Sequence, residues 1–270
     1  MKKLLFLLLL FLTLSSKGQI ILNNDTLICY TYNDTLYAYG GTEIVVDTLL
    51  GLNGDDAVST TIDIGFDFIF YGNSYNKAKI TSNGYITFDT TASFSAFIYS
   101  IQSLDTMTVP ITPYWIPSLA IFGSAMDLQP PTFDTSGAWV AGSGIITCNT
   151  IGVMPNRKFV VTYCDVQVYS VCSTLSATHQ IILYEGSNKI ETHINEKPIC
   201  MWSIPPVQWG NPTHGLVGEL DIINPSNTNY NLVIDPTLGL PRSDTLIWSA
   251  TDEGWEFLPN GSNSYTINQI

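Results

Sequence analysis

Apolar and polar side chains alternate along most of this chain. In "TTIDIGFDFIF", Ile62, Ile64, Phe66, Phe68 and Phe70 alternate with Asp63, Gly65, Asp67 and Ile69. A period of two puts one set of side chains on a buried face and the other in water, so the stretch predicts a β-strand. Tyr71-Gly72-Asn73 then turns the chain, and Asn83-Gly84 is a tight-turn dipeptide before "YITF". Two more hairpins read in the same way. "GIITCNT" and "RKFVVTYCDVQV" flank a turn at 152–156, and "ATHQIILYEGSNKIETHI" folds about Gly186-Ser187-Asn188. No segment beyond the first 18 residues carries the helical period. Short strands broken by Gly, Asn, Pro and Asp about every ten residues predict an all-β fold: a mainly antiparallel two-sheet β-sandwich. The least regular stretch, "PSLAIFGSAMDLQPPTFDTSG", is expected to be a long irregular crossover between the sheets.

The N-terminus follows a different pattern. A basic head, Met1-Lys2-Lys3, precedes an apolar run from Leu4 to Leu14, and Ser16-Lys17-Gly18 offers small residues for cleavage. Residues 1–18 therefore read as a signal peptide, with 19–270 as a single β-sandwich module. Nothing later reaches the roughly 18 apolar residues of a membrane span. The formal net charge is −13, and loss of Lys2, Lys3 and Lys17 makes it more negative. So acidic a surface, without a basic patch, excludes nucleic acid as a partner class. It is compatible with weak Ca²⁺ binding without requiring it; no cofactor and no specific metal ligand set is expected.

All five cysteines, Cys29, Cys148, Cys164, Cys172 and Cys200, follow the signal. Export permits disulfides, and the odd count leaves one thiol over. Without a CxxC pair, disulfides are a better use for them than zinc. Asp-Thr-Leu occurs at Asp25, Asp34, Asp47 and Asp244, with near-copies at Asp89 and Asp105. One reading is a strand start, in which Asp accepts a backbone hydrogen bond at a turn. The other is modification, with Thr26, Thr35, Thr48, Thr90, Thr106 and Thr245 as candidate O-glycan acceptors. The two readings are compatible.

His179 and His193 flank the last hairpin as potential cross-strand neighbours, with Glu185 and Glu191 nearby; a solvated strand face is the expectation for them, and a metal or acid–base site the alternative. Asp55-Asp56 and Asp252-Glu253 sit in expected turns and read as capped or calcium-tolerant loops, not as a glycosidase pair spaced about 5–9 Å across a cleft. No Ser-His-Asp signature and no Gly-x-Ser-x-Gly elbow occurs. Most of the six tryptophans should pack in the sandwich. Trp202 and Trp209, in "WSIPPVQW", are the candidate ligand-facing aromatics.

Four blocks in a fixed order carry a family resemblance: "IGFDFIFYGNSYNKAKITSNGYITF", "GVMPNRKFVVTYCDV", "THQIILYEGSNKIETHINEKPIC" and "WSATDEGWEFLPNG". They resemble nidogen-like surface modules of large exported Bacteroidota proteins, which often precede PKD or Ig-like repeats and a type IX sorting domain. "AMDL" at 125–128 is similar to an aspartate segment of that family. The resemblance covers roughly 60–270, so 19–60 is read as N-terminal strands and 61–270 as the family-like core. It implies a secreted or outer-surface β-sandwich and no catalytic residues. The chain stops at Ile270, so a stand-alone secreted module and a shortened gene are both expectations. Cys172 and Cys200 bracket a hairpin whose arms are similar in length, and the related modules carry Cys at both places. A Cys172–Cys200 disulfide is therefore expected, against two buried thiols as the alternative. Cys148 with Cys164 is a weaker pairing for which Cys29 competes. The function expected is a non-catalytic adhesion or structural module that meets an extracellular protein or glycan surface. A carbohydrate-binding or carbohydrate-processing protein is the alternative.

Overall fold

The strands, in chain order, are β1 (Thr48–Leu49), β2 (Ile62–Phe70), β3 (Asn73–Ile80), β4 (Tyr85–Thr87), β5 (Ala120–Ala125), β6 (Leu128–Gln129), β7 (Thr132–Phe133), β8 (Trp139–Ala141), β9 (Ile145–Ile151), β10 (Lys158–Val168), β11 (Ser176–Tyr184), β12 (Ile190–Lys197), β13 (Thr213–Val217), β14 (Tyr230–Leu232), β15 (Ala250–Pro259) and β16 (Tyr265–Gln269). The computed structural model describes residues 48–50, 52, 54–91, 118–200, 213–218, 229–242 and 248–270. All of them belong to the unit Asp47–Ile270. The expected signal peptide and all of 19–47 lie outside the described residues.

One sheet runs β1-β9-β10-β11-β12-β15-β16, with β6 added beside the end of β10. The second runs β14-β13-β5-β4-β3-β2, and β7 and β8 form a small ribbon. Every strand pairing among the described residues is antiparallel. The fold is the expected all-β sandwich. No helix among the described residues is long and apolar enough to cross a membrane.

Local chemistry accounts for the strands. β2 buries Ile64, Phe66, Phe68 and Phe70 and exposes the residues between them. The β2–β3 turn has positive φ at both Tyr71 (45°) and Gly72 (80°), the pair of conformations that matches strand twist in a two-residue hairpin. A tyrosine rarely adopts such a φ. Here the Tyr71 hydroxyl donates to Asn231 Oδ1 at 2.8 Å, and its ring packs edge-on against Tyr265 at 5.2 Å. Tertiary contacts thus hold a conformation that local preference disfavours.

The two sheets interlock through the middle of the sandwich. The Tyr163 hydroxyl on β10 donates across to Thr81 O (2.9 Å) and Tyr85 O (3.2 Å). His179, opposite Tyr163 on β11, stacks on it at 4.2 Å and lies over Gly123 of β5. A Cβ at 123 would come within 2.6 Å of the imidazole, so glycine is what lets the sheets close there. The crossover leads from Met126 to Gly144 by way of β6, β7 and β8. The start of the stretch expected to be irregular is instead β5, buried at all six positions. Its continuous apolar and small residues suit a central strand covered on both faces.

Candidate functional site

Three aspartates from two distant parts of the chain converge at one end of the second sheet. Asp55 and Asp56 sit in a turn that begins at Gly54 (φ 96°), and Asp127 sits in the bend between β5 and β6. The fully buried turn Thr81-Ser82-Asn83 holds both pieces. Ser82 exchanges bonds with Ala57: its Oγ accepts from Ala57 N (2.9 Å), and its N–H donates to Ala57 O (2.8 Å). Asn83 Nδ2 donates to Asp56 Oδ1 (2.9 Å), while Asn83 Oδ1 accepts from Leu128 N (2.9 Å) and Asn83 O from Met126 N (3.2 Å). One asparagine side chain therefore ties the Asp55-Asp56 turn to the Asp127 bend.

One carboxylate oxygen from each of Asp55, Asp56 and Asp127 lies within 4.8 Å of the others. Burial, reinforced by repulsion from Asp55 and Asp56, pushes the Asp127 carboxyl up to about 8. Burial and the neighbouring Asp56 push Asp55 to about 6, and burial raises Asp56. Asp55 Oδ1 is buried without a hydrogen-bond partner. Tyr169, whose N–H donates to Asp127 O at 2.9 Å, borders the group, and the charge of Asp55 raises its phenol. The Tyr85 hydroxyl on β4 is wholly buried, has no hydrogen-bond partner, and feels the charge of Asp56. An all-oxygen set of this kind suits a hard cation. The oxygens are closer together than the roughly 5–9 Å of a glycosidase pair.

A second buried polar group has the opposite balance. Arg242, 1% exposed, makes a fork to Glu253 (2.6 and 3.0 Å) and reaches Asp235 Oδ2 at 3.2 Å. Its guanidinium lies 4.3 Å over Trp248, and His214 Nδ1 is 3.4 Å away. His214 Nε2 pairs with Thr192 Oγ1 across the sheets at 2.8 Å. Burial, then the charge of Arg242, holds His214 well below its usual range. Lys197 sits 4.4 Å over the Trp248 ring and donates to Trp248 O and Pro198 O. Burial and Arg242 bring it down to about 7. This network fills the space between the sheets with satisfied polar contacts.

Several expectations need correction. His179 and His193 are not cross-strand neighbours: His179 pairs with Ile194 and His193 with Gln180, so they face opposite sides of the sheet. The register set at the hairpin turn fixes this, and a register shift follows only beyond His179, at Thr178. His179 is also not solvated. It is fully buried, and burial pushes it down to about 3 against a smaller pull from the Gly84 backbone. His193 is the one near solvent, 3.1 Å from Glu191 Oε2. Asp252-Glu253 lies within β15, and Glu253 is committed to Arg242.

Cys172 and Cys200 form the expected disulfide, with Cα atoms 5.9 Å apart. Cys148 is a buried thiol and Cys164 is disulfide-bonded, so these two do not pair with each other. Thr26, Thr35, Thr106, Thr245, Trp202 and Trp209 lie outside the described residues. Thr48 opens β1 and pairs with Cys148. Thr90 is half-buried beside Asp89, whose Oδ1 accepts from Thr91 N (3.0 Å) and Thr91 Oγ1 (2.8 Å). Asp134 repeats this turn with Ser136. It brings Trp139 opposite Phe133 on the β7–β8 ribbon, where Trp139 is 62% exposed. Alternation alone does not single out that tryptophan; the Asp134-Thr135-Ser136-Gly137 turn before it is the signal that would have.

Taken together, a two-sheet antiparallel sandwich stapled by a disulfide across one hairpin defines the chain as an all-β module. Residues 29–201 match the family described as NIDO related, and the chain belongs to that family. The family is extracellular in kind and consists of non-enzymatic modules. No curated protein and no solved structure matches the chain.

Proposed function

We propose that this protein is a non-catalytic extracellular interaction module with an adhesive or structural role, secreted or carried on the outer cell surface. The observation that supports this reading is how the fold uses its reactive groups. His214, Lys197 and Arg242 are buried between the sheets, where they pair with other groups, and His179 stacks there on Tyr163. Among the described residues, they are not exposed to a substrate. A disulfide across the β11–β12 hairpin is in keeping with an oxidising compartment. The Asp-Thr units serve as turns at Asp89, and exposed copies would still be open to O-glycans.

Carbohydrate binding is the second reading, favoured by one observation: Trp139 and Phe133, cross-strand partners on an exposed ribbon, offer the flat apolar surface that sugar rings stack on. Protein-coated beads presented to a panel of extracellular proteins and a panel of polysaccharides separate the two. Saturable binding to a protein partner that survives removal of the partner's glycans supports the interaction module. Binding to polysaccharide alone, lost in Trp139→Ala, replaces it with the carbohydrate reading. Turnover of any polysaccharide overturns the non-catalytic assignment.

A further inference from the structure

We propose that Asp55, Asp56 and Asp127 form a calcium-binding site that clamps the 54–57 turn to the β5–β6 bend. The three carboxylate oxygens lie within 4.8 Å of one another. Oxygens on opposite sides of a Ca²⁺ shell are separated by about 4.6–5.2 Å, twice a Ca–O distance of about 2.3–2.6 Å, so one ion can touch all three. Among the described residues no nitrogen or sulfur donor belongs to the group, which disfavours zinc and copper and suits a hard cation. Ca²⁺ also tolerates irregular carboxylate geometry completed by water, whereas Mg²⁺ demands a near-ideal octahedron.

A second, independent observation is Tyr85. Its ring belongs to β4, not to either acidic turn, and its hydroxyl is fully buried without a hydrogen-bond partner within 3.5 Å; the charge of Asp56 and, more weakly, the Thr81 side chain act on it. Buried polar atoms almost always find a partner. A water in the calcium shell supplies one: polarised by the ion, it donates to the phenol oxygen. The same ion supplies the missing partner of Asp55 Oδ1. Without an ion, Asp127 hydrogen-bonds to Asp55 through the proton it keeps; the ion replaces that proton and supplies positive charge to all three partly buried carboxylates. Asn83 holds both acidic pieces in place, so little ordering is left for the ion to impose.

This inference goes beyond the interaction-module reading, and a calcium-binding chain that adheres to nothing would leave it intact. Terbium luminescence is the direct test, because Tb³⁺ replaces Ca²⁺ at oxygen sites and is excited by an adjacent tyrosine. With the full chain, Tb³⁺ should give saturable emission on tyrosine excitation, displaced by Ca²⁺ with a Kd of about 10⁻⁴–10⁻³ M, as in other extracellular modules. Asp127→Asn and Asp55→Asn, close in shape and less repulsive, should weaken Ca²⁺ displacement at least tenfold. Tyr85→Phe should lower the emission. Asp252→Asn, which removes an exposed charge on β15, should change neither. Melting in chelator at or above the wild-type temperature shows that the Asn variants are folded. Wild-type protein without displaceable emission, or Asp127→Asn and Asp55→Asn with unchanged Ca²⁺ affinity, overturns the site. Equal displacement by Mg²⁺ overturns the assignment to calcium.

Discussion

Asp235 and Glu253 meet Arg242 between the sheets, whereas Asp55, Asp56 and Asp127 meet one another at the sheet's end. In the first region, burial works against the charged form of Asp235. The Leu238 and Thr237 amides, together with Arg242, outweigh it and hold the carboxyl below its usual range. In the second region no cationic side chain is among the causes acting on Asp127, and its proton is held to about 8. Both regions remove carboxylates from water, and only one supplies the compensating charge from the chain itself. Burying like charges without a counter-ion is costly, so below about pH 8 Asp127 keeps a proton, and that proton is what a cation from solution displaces.

The largest test removes the compensation where it exists. Arg242→Leu leaves Asp235 and Glu253 facing each other in a closed interior. It should cost about 3–5 kcal/mol in urea unfolding, the usual penalty for breaking one side of a buried ion pair. A cost under about 1 kcal/mol would mean that the Arg242 region is no better balanced than an exposed pair. The disulfide sets a scale outside both regions. Cys172→Ser with Cys200→Ser opens a loop with a sequence separation of 28, and the loss should be about 3–4 kcal/mol. Asn83→Ala probes the acidic region without altering its charge. It leaves Leu128 N and Asp56 Oδ1 without their shared partner and should cost about 1–3 kcal/mol, read from the urea midpoint at constant slope.

The last effect is spread over pH and is small per unit. His179 is buried neutral, with its pKa depressed to about 3. On acidification the unfolded chain takes up the proton first. The stabilisation is therefore whole above the unfolded value near pH 6.5 and is lost as pH falls towards 3. Each unit in that window removes up to about 1.4 kcal/mol. His179→Gln should flatten the stability-versus-pH curve between pH 6.5 and 4, whatever its absolute stability. An unchanged slope would show that His179 takes up its proton in the folded state.

How much of this was legible in the sequence depended on range. The β2 alternation, the 152–156 turn and the Gly186 hairpin are local patterns, and the strands follow them closely. Cys172 and Cys200 were predictable as a pair because one hairpin brings its own ends together. His179 and His193 were misplaced because a strand has period two, and the turn sets a pairing one residue away from the one that would oppose them. Asp55-Asp56 read as a turn, which it is, but nothing local connects it to Asp127. That link runs through Asn83, whose sequence signal marked a tight turn and not a side chain bridging two loops. Arg242 was invisible for the same reason: its partners come from separate loops and strands.

The contrast between the two regions rests on a cation that the chain does not provide, and a thermal melt of the wild-type protein tests this most directly. At 10 mM Ca²⁺ and a Kd of about 10⁻⁴–10⁻³ M, binding should add about 1.4–2.7 kcal/mol. For a chain of this size that is a rise in Tm of roughly 3–10 °C over the value in chelator. The rise should vanish in Asp127→Asn and persist in Arg242→Leu. An identical Tm in calcium and in chelator would contradict the account.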